Sequence, residues 1–492
     1  MSIRKKSSTD HGRLAYLFGD CLAIAAAYFT MIWLRFQSEW GKSWFSEIFG
    51  VLGIREPIEL GDRLLHFYVE SAPRIILFLC LTICLLYALR DLYAGRRFIR
   101  RRPIAWEIVV VNILALAMFY CYFYARRNVF HPRSVFAIVA FLNVIYAVGF
   151  RALAGYMLSV LRRKSGIGEC RAVVVGSSED TERIAEFIEV VRPHGMRVAA
   201  RVGLDASGED GAALAAKVSA AVTEHDAGMI VCADKRLKLP QIMQLVGLSG
   251  ELGIAAKVYT DKMDVLINQA GLAADRFRGV PLVHFAAPAD AGGWRRIRRG
   301  IDFALACIGL VALSPVLLLI ALAVRLTSSG PAIYVQERVG IAKKPFKMYK
   351  FRTMHQLADE LQAGVEEFNE AGLGLFKIRQ DPRVTTIGRL LRRFSLDEMP
   401  QLANVLRGEM AIVGPRPLPW RDFKQYSEEW HYMRHSITPG LTGLWQVSGR
   451  SDTDFHNMCI LDIYYLRNEG FILDLKIILK TLWVVLFAKG AY

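Results

Sequence analysis

The chain has 492 residues, of which 53% are hydrophobic and 22% charged, and its 62 Lys and Arg outnumber 46 Asp and Glu to give a formal net charge of +16. Its mean hydropathy of +0.27 is unusual for a soluble enzyme, and the chain is long enough for about three domains. The many large aliphatic side chains and the lack of a glycine period exclude disordered and collagen-like proteins.

The eight cysteines are scattered along the chain and form no Cys-x-x-Cys motif. In apolar runs cysteine behaves as a small hydrophobic residue, so the sequence predicts neither a disulfide framework nor a zinc knuckle. His431 and His435 stand four residues apart, but no Cys or Glu lies at a supporting zinc-site spacing. We therefore expect no zinc.

Four apolar runs dominate the first third of the chain, at 14–34, 74–89, 104–125 and 134–161. Their lengths are near or above the roughly 20 residues that a helix needs to cross a bilayer. Buried helices of a soluble core are the alternative, but arginine-rich segments bound the runs, as they often bound membrane helices. The sequence therefore predicts four transmembrane helices, with the first retained and not cleaved as a signal peptide.

The positive charges predict the orientation of these helices. The leader, the second loop and the end of the fourth run are strongly basic, whereas the loop between the third and fourth runs carries Arg126, Arg127 and Arg133. Because cytoplasmic loops carry an excess of Lys and Arg, we expect both ends of the four-helix segment to be cytoplasmic.

Between residues 170 and 288, short apolar strands alternate with amphipathic stretches, a pattern typical of a small parallel α/β domain. The pattern predicts strands at 171–176, 227–233 and 254–259 and helices at 180–191 and 238–250. The turn after the first strand reads Gly176-Ser177-Ser178-Glu179-Asp180 and lacks two of the three glycines of a dinucleotide-binding turn. We therefore predict a Rossmann-like domain without a functional dinucleotide motif, with a scaffolding or regulatory role.

A fifth apolar run, 301–324, contains Ser314-Pro315 near its middle and has basic residues on both flanks, including Arg338. Its length is that of a membrane span, but the charges give neither flank a reason to cross. A proline inside a helix kinks it, and the preceding serine can bond the carbonyl that loses its partner. We predict a re-entrant helix over 296–326 that enters the cytoplasmic leaflet and returns; on the pattern alone, an ordinary kinked span remains the alternative.

The polar residues that could support chemistry follow this helix. The segment 347–354 alternates like a strand and would place Lys350 and Arg352 on one face. Eight basic and four acidic residues lie between 376 and 416, and two of the acids, Asp397 and Glu398, are adjacent. Arginines bind phosphate oxygens in bidentate pairs, and adjacent carboxylates can hold a divalent cation or supply a nucleophile. This segment therefore favours a diphosphate substrate.

A structural interpretation of the same acids is a capping box, with Ser395 at the N-cap and Glu398 at the third helical position. It does not exclude catalysis, because a helix N-terminus would also keep Asp397 ionised, as a nucleophile requires. Arg416 stands between two prolines, which stiffen the backbone and favour a phosphate-binding arginine over a freely solvated one.

These stretches resemble the polyprenyl-phosphate hexose-1-phosphate transferases, or monotopic phosphoglycosyl transferases, of bacterial exopolysaccharide, capsule and O-antigen synthesis. The resemblance extends from residue 296 to the C-terminus, and the four-span leader and α/β domain are similar to those of the long-form members. The matching stretches are KFRTM at 350–354, DPRVTTIGRLLRRFSLDEMPQLANVLRGEMAIVGPRP at 381–417 and PGLTGLWQVSGR at 439–450, with Asp462 and Tyr464-Tyr465 downstream.

The resemblance implies that Asp397 attacks the sugar-linked phosphate of a UDP-sugar, which expels UMP and leaves an aspartyl phosphosugar, while Glu398 binds Mg²⁺. Undecaprenyl phosphate would then take the sugar phosphate. The resemblance also implies further site residues: Lys350, Arg352, Arg392 and Arg416 for phosphate, Gln446, Arg450 and Asp462 for the uridine or sugar, and Ser314-Pro315 for the helix break.

Since nucleotide sugars are cytoplasmic, a true fifth crossing would place Asp397 on the wrong side, which favours the re-entrant helix. We expect a multi-pass protein of the bacterial inner membrane with a four-helix transmembrane bundle (1–165), a Rossmann-like domain (166–290) and an α+β catalytic domain (291–492). Expected partners are a UDP-hexose, undecaprenyl phosphate, anionic lipids and a second copy of the chain, but no nucleic acid.

Two other functions remain open. One is a membrane-anchored nucleotide-sugar dehydratase or epimerase, which the turn at Gly176 and the absence of a Tyr-x-x-x-Lys pair disfavour. The other is a non-catalytic scaffold of a polysaccharide assembly complex, which would tolerate Asp397→Asn. Residues 443–450 resemble galactose-phosphate transferases more than glucose-phosphate transferases.

Overall fold

The computed structural model describes most of the chain and divides it into two compact units, residues 1–169 with 191–195 and residues 170–190 with 196–492. The basic segments 4–6, 96–102 and 126–127, on which the predicted orientation depends, lie outside the described residues. The described ranges are 8–43, 58–90, 104–125, 133–165, 169–190, 195–204, 210–259, 275–277, 280–287, 291–355, 382–448 and 454–486, with positions 47, 92, 93, 266 and 270.

The first unit contains four long helices at the four predicted apolar runs, which confirms that each run is helical. α1 packs against α2 and α4, and α3 packs against α2 and α4. Inside, Arg151 of α4 donates to Asp20 of α1 at 2.5 Å, and both side chains are buried. The helices are α1 Ser8–Ile32, which continues as the π-helical turn Trp33–Gln37, α2 Ile58–Leu89, α3 Ile104–Ala125 and α4 Arg133–Ser165.

Within the described residues, five helical segments are long and apolar enough to cross a membrane. The first four correspond to the predicted spans and the fifth to the run around Ser314-Pro315, and only 6% of the fifth segment is buried in the protein. Large exposed apolar surfaces of this kind mark membrane or protein contacts. The segments are Leu14–Gln37, Leu64–Leu89, Ile104–Cys121, Val135–Leu161 and Trp294–Thr327.

The second unit begins with a six-stranded sheet in the order β2-β1-β3-β4-β6-β5. Its first four strands are parallel, and β6 and β5 extend it as antiparallel strands. The predicted strands and helices of this segment are confirmed, and β2 and α6 are additional. The elements are β1 Cys170–Val175, α5 Glu179–Val190, β2 Met196–Val202, α6 Gly211–Glu224, β3 Met229–Cys232, α7 Leu239–Glu251, β4 Ala255–Tyr259, β5 Asp275–Phe277 and β6 Val280–Phe285.

A carboxylate of the chain itself closes the turn between β1 and α5. Asp234, which follows β3 and is 2% exposed, accepts the backbone N–H of Ser177 at 2.9 Å and of Ser178 at 3.1 Å. It also accepts the Arg236 guanidinium at 2.8 Å. In a dinucleotide-binding domain the pyrophosphate occupies this position at the helix N-terminus, so Asp234 takes the hydrogen bonds that a nucleotide would need.

A helix of 37 residues, α8 (Ala291–Thr327), follows the sheet and contains Pro315. Pro315 has no N–H to donate to the Val311 carbonyl four residues earlier. The Ser314 hydroxyl donates to that carbonyl at 2.8 Å. The predicted compensation by the serine is therefore confirmed.

The two halves of α8 pack on neighbouring parts of the same region. Ala306 belongs to a buried cluster with Met348, and Val324 belongs to a second cluster with Phe351. A straight helix would separate Ala306 from Val324 by about 27 Å, whereas Met348 and Phe351 are only about 10 Å apart along their strand. Pro315 lies between the two clusters, where a proline kink would bring the two halves of the helix closer together.

The C-terminal region is an α+β arrangement of short elements. β7 and β8 form an antiparallel hairpin, and β9 and β10 form a parallel pair. The elements are β7 Ile333–Val339, β8 Pro345–Phe351, α9 Thr386–Arg393, the 3₁₀ helix Leu396–Gln401, α10 Leu402–Arg407, β9 Ala411–Val413, α11 Trp420–Phe423, the 3₁₀ helix Glu429–Ser436, β10 Gly440–Thr442, α12 Phe455–Asn468 and α13 Phe471–Leu486.

A buried arginine joins this region to the sheet. Arg467 of α12 donates to the Ala286 carbonyl at 3.0 Å, to the Ile254 carbonyl at 3.0 Å and to the Ser249 hydroxyl at 3.1 Å. Because guanidinium groups present several donors in a fixed plane, this one side chain connects three segments.

Candidate active site

The adjacent acids Asp397 and Glu398 lie on a 3₁₀ helix and not on the first turn of an α-helix. Ser395 adopts a left-handed conformation with φ of 54° and caps no backbone group with its side chain. The predicted capping box is therefore wrong, and the α-helix begins only at Leu402. The tight turn directs the two neighbouring carboxylates differently, since Glu398 is ion-paired and Asp397 makes no side-chain hydrogen bond within the described residues.

Glu398 lies between two cations from different elements. Lys350, near the end of β8, donates to Oε1 at 2.9 Å, and Arg416 donates to the same oxygen at 2.7 Å. Oε2 accepts no hydrogen bond from the described part of the chain. The structure thus brings together three of the predicted site residues.

Burial and charge act differently on the two acids. Burial would raise the pKa of Glu398, but Arg416 and Lys350 lower it well below its ordinary value. Burial raises the pKa of Asp397, and the charge of Glu398 raises it further, against the opposing effects of Lys350 and Arg392. The prediction that a helix terminus keeps Asp397 ionised is therefore wrong, and its ionisation depends on these cations.

Arg392 and Arg352 occupy different environments. Arg392 donates to the Thr353 hydroxyl at 3.0 Å and acts electrostatically on Asp397. Arg352 follows the end of β8 and donates to the carbonyls of Ser328 at 2.8 Å and Gly330 at 3.1 Å, just beyond α8. The guanidinium of Arg352 therefore bonds the chain just beyond the end of α8, whereas Lys350 pairs with Glu398. The shared strand face of Lys350 and Arg352 stays a prediction.

Two of the residues predicted for the uridine or sugar side, Gln446 and Asp462, are buried. Asp462 is 1% exposed and accepts both Nε and Nη2 of Arg434, at 2.9 and 2.6 Å. Gln446 is buried and donates to the Leu441 carbonyl at 3.4 Å. Arg450 lies outside the described residues. The carboxylate of Asp462 is thus paired with Arg434, and its contact with a substrate stays a prediction.

Two buried arginines near the site were not identified from the sequence. Arg338, interpreted there as a basic flank of the fifth run, donates to the Pro417 carbonyl at 3.1 Å, and Arg434 donates to the Arg416 carbonyl at 2.9 Å. A usable signal was available for Arg434, because it lies in the aromatic-rich segment 429–436, where a solvated cation is unexpected.

The donor set is suited to a magnesium ion held mainly by a substrate. Among the described residues no group of three or more His, Cys, Asp or Glu side chains could hold a metal. Mg²⁺ typically binds one or two carboxylates together with substrate phosphates, and Oε2 of Glu398 with the carboxylate of Asp397 fits that requirement.

The part of the chain that contains Asp397 and Glu398 is similar to known proteins. Residues 294–488 match the family model described as bacterial sugar transferase. The chain is 37% identical over 219 residues to the exopolysaccharide production protein ExoY of Sinorhizobium fredii, covering 42% of this chain and 95% of that protein.

Two longer relatives are named for different sugars. The undecaprenyl-phosphate galactose phosphotransferase of Salmonella typhimurium is 40% identical over 203 residues, 40% of this chain and 42% of that protein. The undecaprenyl-phosphate glucose phosphotransferase of Komagataeibacter xylinus is 30% identical over 333 residues, 65% of this chain and 60% of that protein. The chain therefore belongs to the bacterial sugar transferase family, and it is a membrane-associated polyprenyl-phosphate hexose-1-phosphate transferase.

Proposed function

We propose that the protein transfers a hexose-1-phosphate from a UDP-sugar to undecaprenyl phosphate, with release of UMP, as the first membrane step of exopolysaccharide synthesis. The observation that carries this proposal is the pairing of Glu398 with Lys350 and Arg416 beside the buried carboxylate of Asp397, whose side chain makes no hydrogen bond within the described residues. Two cations that already converge on one carboxylate form a site suited to the oxygens of a diphosphate.

The proposed reaction has two displacements at the same phosphorus atom. A carboxylate oxygen of Asp397 bonds to the sugar-linked phosphorus of the donor, and the bond from that phosphorus to the bridging oxygen breaks, so UMP leaves with the electron pair. An oxygen of undecaprenyl phosphate then attacks the phosphorus of the aspartyl phosphosugar, and Asp397 leaves as a carboxylate.

The cations around the acids have distinct parts in this scheme. Lys350, Arg392 and Arg416 oppose the effects that raise the pKa of Asp397, and they would stabilise charge on the phosphate oxygens. Mg²⁺, held by Glu398 and the donor diphosphate, would supply further charge stabilisation and help UMP to leave.

We propose a cytoplasmic location for the site. In this arrangement α1–α4 form a four-helix transmembrane bundle, residues 166–290 a Rossmann-like domain, and residues 291–492 the catalytic domain. Its support is Pro315 inside α8, where a bend would allow the helix to enter and leave the inner membrane on one side, and the exposed apolar side chains near it, such as Val311 and Leu318. The arginines at both ends of α8 would contact anionic lipid headgroups.

The alternatives make different use of the same residues. A dehydratase or epimerase needs a nucleotide site at the turn after β1, but Asp234 occupies that turn. A scaffold would not depend on the carboxylate of Asp397, whereas the transferase requires it.

The test uses the full-length protein in detergent with Mg²⁺ and a panel of UDP-hexoses, with and without undecaprenyl phosphate, and measures UMP. We expect lipid-dependent UMP release from one sugar and none from Asp397→Asn. Asp474→Asn is a matched control, since this buried carboxyl accepts the Tyr465 hydroxyl away from Glu398, and it should retain turnover. Equal activity of wild type and Asp397→Asn would overturn the proposal.

A further inference from the structure

The turn that carries Arg416 is held at three successive carbonyl groups. Each carbonyl accepts one hydrogen bond, and the three donors come from different parts of the chain. The pairs are Gly440 N to Pro415 O at 2.8 Å, Arg434 Nη2 to Arg416 O at 2.9 Å and Arg338 Nη1 to Pro417 O at 3.1 Å.

The guanidinium of Arg434 is itself fixed by hydrogen bonds. It is 1% exposed, its Nε and Nη2 donate to Asp462, and its Nη1 donates to the Tyr426 hydroxyl at 3.1 Å. The bond to the Arg416 carbonyl is the link from this buried pair to the ionic cluster around Glu398. The carboxylate of Asp462 therefore acts on the site through two arginines.

Arg338 supports the same turn from the opposite side. Its Nε and Nη2 donate to the Gln336 amide oxygen at 3.0 and 2.5 Å, which orients Nη1 toward the Pro417 carbonyl. Burial and the nearby charge of Arg416 lower the pKa of Arg338 to about 10. Two like charges this close are tolerated because Arg338 and Arg416 both lie near Glu398.

We infer that Arg434, Asp462 and Arg338 are positioning residues that hold the backbone of Arg416, so that its guanidinium is aligned for the diphosphate of the donor. The inference rests on the proposed function, because it assumes that Arg416 binds a diphosphate. Lysine at position 434 would keep the charge but could not bond Asp462, Tyr426 and the Arg416 carbonyl together, because it lacks the planar fork of donors.

The test is a double-mutant cycle in the full-length protein with Arg434→Lys, Arg416→Lys and the double variant. One readout is kcat/KM for UMP release, and the other is thermal stabilisation by inorganic pyrophosphate with Mg²⁺. We expect each single variant to lose about tenfold to a hundredfold in kcat/KM, and the double variant to lose no more than Arg416→Lys alone, within about twofold. Asp462→Asn, which keeps the side-chain shape, should couple to Arg416→Lys in the same way.

Arg467→Lys is the matched control, because this arginine is equally buried but bonds the sheet domain. It should lower stability while its effect on activity adds to that of Arg416→Lys. Additive losses for Arg434→Lys and Asp462→Asn, like those of the control, would overturn the inference. If the wild type releases no UMP, the proposed function fails. The double-mutant cycle measured by pyrophosphate stabilisation then tests the inference alone. Coupling between the variants supports the inference, whereas additive losses, or no stabilisation of the wild type by pyrophosphate, overturn it.

Discussion

Two carboxylates of this protein, the buried Asp234 of the sheet domain and the half-buried Glu398 of the catalytic region, lie in tight turns and bind arginine. They nevertheless leave different chemistry to their surroundings. Asp234 accepts two backbone N–H groups of the β1–α5 turn through Oδ2, and it accepts the backbone N–H of Arg236 and the guanidinium of the same residue. Asp234 thus binds the N–H groups of Ser177 and Ser178, so the chain itself saturates two donors that a phosphate at this turn would use.

Glu398 differs from Asp234, because side-chain cations and not backbone N–H groups surround it. Lys350 and Arg416 both donate to one oxygen, and Arg392 and Arg338 add further positive charge nearby. The carboxylate of Asp397 lies beside the same cations, and we propose that the cluster accepts the phosphates of a substrate. The two turns differ because backbone N–H groups bind Asp234, whereas side-chain cations bind Glu398.

The largest expected effect comes from removing the charge of Glu398. In Glu398→Gln, Lys350 and Arg416 lose their anionic partner and no longer converge on one oxygen, so turnover should fall by about a hundredfold to a thousandfold or more. Steady-state UMP release measures this loss. Glu469→Gln is the control, because Glu469 also lies between two arginines, Arg295 and Arg298. Equal losses of turnover in the two variants would contradict a specific role of Glu398 in the reaction.

The second effect is on acid stability. Because the folded-state pKa of Glu398 lies below its ordinary value, its ionised form contributes stability above pH of about 4.5, and this contribution is lost as pH falls through the folded-state pKa. Unfolding midpoints of wild type and Glu398→Gln, measured between neutral and acidic pH, should therefore converge as the pH falls. A gap that widens in acid would contradict the assigned pairing.

A smaller effect is expected at the saturated turn. Asp234→Ala leaves the N–H groups of Ser177 and Ser178 without their acceptor, which should cost about 1–3 kcal/mol of unfolding free energy with little change in turnover. Sulfate should restore part of the lost unfolding free energy, since the freed N–H groups can then donate to an external anion. The absence of any sulfate effect relative to wild type would show that Asp234 does not occupy an anion position.

The smallest effect should follow Arg236→Ala. The side chain of Arg236 is 56% exposed, and Asp234 keeps its backbone donors without it. The loss of unfolding free energy should lie within about 1 kcal/mol, as measured by chemical denaturation. A much larger loss would mean that the guanidinium, and not the backbone, saturates Asp234.

The local elements of this chain could be predicted from sequence, because they depend on periodicity and on single residues. The four N-terminal helices and the strands at 171–176, 227–233 and 254–259 follow from apolar patterns, and the role of Ser314 follows from the chemistry of proline. The convergence of Lys350, Glu398 and Arg416 was implied only by the family resemblance.

What could not be predicted depends on tertiary contacts. The left-handed backbone at Ser395 replaced a plausible capping box. The guanidinium of Arg352 bonds the carbonyls of Ser328 and Gly330, whereas Lys350 pairs with Glu398. Asp462 is buried and binds Arg434, and we propose that it supports the site. The hydrophobic periodicity of the sequence does not show which arginine donates a hydrogen bond to which carbonyl.

The most direct test of the central claim is intact-protein mass spectrometry after incubation with Mg²⁺ and the active UDP-sugar, without undecaprenyl phosphate. The account predicts an adduct of one hexose phosphate that maps to Asp397, forms with release of UMP, disappears when undecaprenyl phosphate is added and never forms on Asp397→Asn. UMP release that requires the lipid and leaves no adduct on the wild-type protein, even at short reaction times, would contradict the covalent role of Asp397.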